Sequence, residues 1–167
     1  MLVVPGTVSG FSPGSPITHY QTAYDNALKS LEELRAATTS TGVSIGIENV
    51  WNKFLFSPIE FRDFLDKANN PLVGCYFDVA NIIITGHAEH WIDILGKHVK
   101  KIHFKDFKRE VATIDGFCDL LDGDVDYPAV MKSLRAIGYN GPVTAEFFNA
   151  EADLPKISAA MDKIAAM

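Results

Sequence analysis

The sequence predicts an α/β fold built on a parallel sheet. Short apolar segments and amphipathic segments alternate along the whole chain, the arrangement that right-handed βαβ crossovers require. The short segments are apolar at nearly every position, as strands covered by helices must be. Four of them in succession also close on a polar side chain able to bind a metal: Glu48, Asp78, His103 and Glu146.

The elements follow in order. Leu2-Val3-Val4 reads as a short strand that stops at Pro5-Gly6, as though the chain began inside a fold. Residues 7–16 hold Gly10, Pro13, Gly14, Ser15 and Pro16 and have loop composition. Between Thr18 and Thr39 the residues Tyr20, Tyr24, Ala27, Leu28, Leu31 and Leu34 recur at helical spacing, and Gly42 ends the helix. Val43 to Asn49 is a buried strand. Ser57-Pro58-Ile59-Glu60 carries a capping box with proline at the first helical position, and Phe61, Phe64, Leu65 and Ala68 supply the buried stripe. The unit repeats: Leu72 to Asp78 is a strand, and His87 to Lys97 a helix through Trp91, Ile92 and Leu95. Lys100 to Phe107 is the next strand, with Ile102 and Phe104 on one face, His103 and Lys105 on the other, and its last residues leaving the sheet. A long connection, Lys108 to Val125, contains Gly116, Gly123 and the acids Glu110, Asp115, Asp119, Asp122 and Asp124. Tyr127 to Ile137 is a helix that begins beside Asp126 and Pro128 and stops at Gly138. Pro142 to Phe148 is a strand ending near Glu146, and Pro155 to Ala166 closes the chain as an amphipathic helix.

Composition narrows the function classes. The 167 residues are 47% hydrophobic and 22% charged, enough apolar material for one globular domain over residues 1–167, with no linker in the pattern. A net charge of -6 and no basic run longer than Lys100-Lys101 argue against a nucleic-acid surface. No 18-residue apolar run is present, so no membrane span is expected. The start lacks the basic and apolar regions of a signal peptide, and Cys75 and Cys118 lack metal-type spacing. A cytoplasmic protein with reduced thiols is the expectation.

In a parallel sheet all carboxyl ends lie on one edge, where ligand sites form. Glu48, Asp78, His103 and Glu146 can therefore converge. Singly, each has a structural explanation: a strand-end acid, a turn cap, a hydrogen-bonded core histidine. Together, three buried carboxylates without a cation would cost several kcal/mol, on the order of unpaired buried charge. One imidazole and three carboxylates suit a divalent ion such as Mn²⁺, Mg²⁺, Co²⁺ or Zn²⁺. Lys105 and Asp106 either pair with each other beside this site or only complete the strand end.

Gly46-Ile47-Glu48-Asn49, Phe77-Asp78-Val79-Ala80-Asn81, Ile102-His103-Phe104-Lys105-Asp106 and Thr144-Ala145-Glu146-Phe147, with Gly123 to Ala129 between the last two, resemble the sugar-phosphate isomerase/epimerase superfamily of xylose isomerase-like TIM barrels. Ketose 3-epimerases, L-xylulose 5-phosphate 3-epimerase and hexulose-6-phosphate isomerase-like proteins are the relatives suggested. The resemblance implies Glu48, Asp78, His103 and Glu146 as metal ligands, and Glu48 and Glu146 as the catalytic acid/base pair. It implies substrate contacts at Arg109, Asn81 and Lys105, with Asn81 standing where relatives usually have a histidine. The implied reaction is epimerisation or isomerisation of a ketose or ketose phosphate by proton transfer through a metal-stabilised enediolate. Inosose dehydration or hydroxypyruvate isomerisation at the same site, or a non-catalytic remnant acting by association, are the alternatives. The fold it implies is an incomplete (β/α)₈ barrel carrying strands 4 to 8. Five strands cannot close such a barrel. An apolar inner face and a partner, either a second copy or a separate N-terminal half, are thus expected.

Overall fold

The computed structural model describes residues 1–10, 14–147 and 153–167. Its centre is a parallel sheet of five strands: β1 (Leu2–Val3), β2 (Ile45–Glu48), β3 (Val73–Asp78), β4 (Val99–Phe104) and β7 (Val143–Ala145), in that spatial order. Every neighbouring pair is parallel. The expected architecture, a partial (β/α) barrel, is the one observed.

Helices cover one face. The connection from β1 to β2 carries α1 (Tyr20–Glu33) and α2 (Arg35–Thr41), where the sequence predicts one helix. The break falls at Leu34, next to Arg35, whose guanidinium donates to the carbonyls of Ala68 and Asn69. Gly42 then ends α2 at φ 68°, a left-handed turn that favours glycine. Helix α3 (Pro58–Ala68) starts as the capping box requires: Ser57 Oγ accepts from the Glu60 N–H. The Glu60 carboxylate reaches one residue further back than the motif predicts, to the Phe56 N–H. Helices α4 (Ala88–Leu95), α5 (Tyr127–Ala136) and α6 (Leu154–Ala165) complete the layer.

Ile45, Ile47, Cys75, Phe77, Ile102 and Phe104 point from the sheet into this helical layer and are almost fully buried. Together with Phe61, Phe64, Trp91 and Ile92 they form the core. The opposite, inner face differs from the apolar surface expected. Gly46, Tyr76, Lys101, His103 and Thr144 occupy it, as the contacts of the Tyr76 ring and hydroxyl with all four of the others show. A polar lining rather than a second hydrophobic core therefore fills the inside of the curve.

The connection after β4 holds a device with no counterpart in the sequence reading. Strands β5 (Asp106–Phe107) and β6 (Phe117–Cys118) pair antiparallel as a small ribbon. Asp106 organises it. Its buried carboxylate accepts from the backbone N–H groups of Phe107, Leu121 and Val125. Gly123 passes so close that a Cβ there would collide with that carboxylate. Strand β7 is shorter than expected; Glu146 follows it directly, and Phe148 lies outside the described residues, as does Pro13 in the first loop.

Candidate metal and catalytic site

The four strand-end residues converge. Glu48 closes β2, Asp78 closes β3, His103 lies in β4 opposite Asp78, and Glu146 follows β7, with its N–H donating to the Phe104 carbonyl. One ligand atom from each lies within 4.8 Å of all the others. Adjacent parallel strands bring this about: residues far apart in sequence share one sheet edge.

The contacts within the cluster are short and charged. His103 Nδ1 sits 2.8 Å from Glu48 Oε1 and 2.9 Å from Glu146 Oε2. One N–H cannot serve both oxygens well. Burial pulls the His103 pKa down, but the contacts with Glu146 and Glu48 outweigh it and raise it to about 10. The same contact with His103, with Lys105 adding to it, draws Glu146 down to about 2. Burial pushes Asp78 the other way, up to about 7, although the Lys105 ammonium opposes the shift.

Asp78 Oδ2 is buried and lacks a hydrogen-bond partner among the described residues, and Glu146 Oε2, also buried, shares the one His103 Nδ1 with Glu48. An orphaned buried carboxylate oxygen costs about 1–3 kcal/mol, or more when charged. These two oxygens, one imidazole nitrogen and a third carboxylate are the donor set of a divalent cation, and the residues fit that group.

Lys105 belongs to the cluster rather than to Asp106. Its ammonium lies 3.2 Å from Glu146 Oε1 and 3.9 Å from Asp78 Oδ2, and 4.2 Å from the Phe117 ring centre. An ion pair between Lys105 and Asp106 is not formed, because successive side chains leave the strand in opposite directions and Asp106 is committed to the β5–β6 ribbon. Asn81 is also at the site: it lines a cavity of about 140 Å³ with Glu48, Glu146 and Lys105, closed on its apolar side by Val50, Trp51, Ile114 and Phe117. Arg109 stands apart. It is exposed and lines a separate groove with Lys108, Glu110, Asp122 and Asp124, its N–H bound to Asp124.

Three residues beyond the sequence reading shape the site. The Tyr76 ring lies 4.1 Å from the His103 ring and supports it. Trp51 packs on Phe117 and Phe107, at 5.2 and 5.5 Å between ring centres, and donates from Nε1 to the Asn81 carbonyl. Asn49 binds the backbone of Asp78 at both its N–H and its carbonyl. Its position directly after Glu48, where a strand ends, was the only signal in the sequence.

The family described as xylose isomerase-like TIM barrel matches residues 1–167. An L-ribulose 3-epimerase of Methylomonas sp. (strain DH-1) is 27% identical over 139 residues, 80% of this chain and 45% of its own length. A D-tagatose 3-epimerase-like protein shares the fold at a TM-score of 0.78 and 18% identity, over 98% of this chain and 59% of that one. A 3-keto-D-glucoside 4-epimerase from E. coli does so at 0.78 and 14%, over 99% and 63%. The chain thus spans about half the length of the relatives it matches. No helix among the described residues is long and apolar enough to cross a membrane.

Proposed function

The chain belongs to the xylose isomerase-like TIM barrel family, and from that premise we propose that it supplies the catalytic floor of a divalent-metal-dependent epimerase or isomerase acting on a ketose or ketose phosphate. The observation that carries the proposal is the convergence of Glu48, Asp78, His103 and Glu146 on one point, with Asp78 Oδ2 buried there without a hydrogen-bond partner among the described residues. These four residues would hold the ion, Mn²⁺, Mg²⁺, Co²⁺ or Zn²⁺. When bound, the ion supplies Lewis acidity that stabilises negative charge on substrate oxygens.

The chain's own residues account for the proton transfers. A hydrogen on the carbon beside a ketone leaves as a proton only to a base held against it. Glu48 and Glu146 stand on strands separated by β3 and β4. In the proposed mechanism one takes the proton from one side of the carbon, and the other returns a proton from the opposite side. That inverts the centre. Lys105 donates to Oε1 of Glu146 and so orients the carboxylate. Asn81 Nδ2 donates to the Asn49 carbonyl, and its Oδ1 would serve as an acceptor for a substrate hydroxyl. Trp51, Ile114 and Phe117 would give the substrate an apolar wall. Arg109, in its own groove, has no place in this mechanism.

The site sits in one partial barrel domain over residues 1–167, and the proposal includes a partner, a second copy or an N-terminal half, that supplies the facing wall. Ketoses incubated in deuterated water with Mn²⁺ and the protein are expected to take up deuterium at C3, read by NMR. Glu146→Gln should abolish the uptake, a loss of at least about 100-fold. Undiminished exchange in that variant would remove the two-carboxylate mechanism. Stoichiometric Mn²⁺ binding without exchange would favour a remnant that keeps the ion and has lost the reaction.

A further inference from the structure

Strand β2 ends at Glu48, paired with Tyr76, whereas β3 runs on to Asp78. The backbone N–H and carbonyl of Asp78 on its β2 side would then have no strand to pair with. Asn49 takes the place of one. Its Nδ2 donates to the Asp78 carbonyl at 2.8 Å, and its Oδ1 accepts from the Asp78 N–H at 2.8 Å. A primary amide carries the same donor and acceptor as a peptide unit, so the side chain extends the ladder by one rung after the main chain has turned away. The Asn49 carbonyl in turn accepts from Asn81 Nδ2 at 2.9 Å.

The consequence falls on the Asp78 carboxylate. With its backbone clamped, Oδ1 accepts from the N–H groups of Ala80 at 2.8 Å and Asn81 at 2.9 Å. Those two bonds occupy Oδ1, and Oδ2 alone is left buried and without a hydrogen-bond partner among the described residues. We propose that Asn49 is a positioning residue that makes Asp78 a ligand through Oδ2 only, and so tunes the site toward small divalent ions over Ca²⁺. This inference rests on the metal reading above. Ca²⁺ accepts bidentate carboxylates and six to eight oxygens, whereas the smaller ions hold to fewer ligands at shorter range. A carboxylate with one oxygen tied to the backbone cannot offer the second.

The test measures ion binding to the metal-stripped protein by titration calorimetry, with Mn²⁺ and Ca²⁺ as probes, on wild type and Asn49→Ala, below the melting temperature of each. Wild type is expected to take up one Mn²⁺ per chain. Asn49→Ala should bind Mn²⁺ at least tenfold more weakly and lose much of its preference for Mn²⁺ over Ca²⁺. A purely structural role would lower the melting temperature and leave both quantities unchanged in the folded variant; Mn²⁺ affinity within twofold of wild type, with preference intact, overturns the inference alone. Absence of stoichiometric Mn²⁺ uptake by wild type overturns the metal reading and this inference with it. A crystal structure of wild type with Mn²⁺ needs no variant: Asp78 bound through Oδ2, with Oδ1 still on the Ala80 and Asn81 amides, is the expected result, and bidentate Asp78 is the overturning one.

Discussion

His103 shows how much a single side chain depends on its neighbours. Its Nδ1 lies between Glu48 and Glu146, which raise its pKa to about 10 and keep it protonated, and in the proposed site the same nitrogen would present its lone pair to an ion. Uptake of a cation therefore releases that proton, and acid competes with the metal. The sign is fixed by the direction of the shifts: His103 is raised to about 10 and Asp78 to about 7, so both favour the proton-bound form more than free side chains do. Apparent Mn²⁺ affinity is expected to rise by about tenfold per pH unit between pH 7 and 9, one proton leaving per ion. Calorimetry in two buffers of different ionisation enthalpy reads that proton directly, and an affinity flat across the range would remove Nδ1 from the ligand set. Asp106 illustrates a different dependence. Asp106→Ala strands the N–H groups of Phe107, Leu121 and Val125, a cost of about 3 kcal/mol or more in urea unfolding.

Among the elements, those with strong periodicity were legible. Helix α3 declares itself through Ser57, Pro58, Glu60 and the stripe Phe61, Phe64, Leu65 and Ala68, and Ser57→Ala should cost about 1 kcal/mol of stability, read by the same unfolding measurement. The four metal-competent residues were legible because each closes an apolar run, and a parallel sheet turns that position into an address. The β5–β6 ribbon was not, since two-residue strands carry no alternation and their pairing comes from one carboxylate and a close-passing glycine. Gly123→Ala is expected to loosen this ribbon by about 2 kcal/mol. The apolar spacing of α1 crosses Leu34 unbroken and so predicts one helix through α2; the tether of Arg35 to the end of α3 is a tertiary contact, invisible to periodicity. The inner face departs from expectation for a similar reason: Gly46, Tyr76 and Thr144 sit in apolar runs, yet their side of each strand meets Lys101 and His103 rather than a second apolar layer.

At the scale of the whole molecule, β1 and β7 are the outer strands of the five, and the proposed partner would meet the inner face between them. Light scattering coupled to size exclusion is expected to give a mass above the 18.3 kDa of one chain, or a shift to a defined complex when an N-terminal barrel half is added. A stable monomer that ignores such a half would end the association proposal. The amide of Asn49 has one more consequence. Because a side chain rather than the main chain completes the ladder beside Asp78, residues 50–57 leave the sheet without carrying any of its register, and two of them, Lys53 and Leu55, adopt left-handed backbone at φ 57° and 56°. Contacts of their own hold these residues in place instead: Trp51 Nε1 donates to the Asn81 carbonyl, Asn52 Nδ2 donates to the Gly6 carbonyl, and Phe54 and Leu55 are buried in the core.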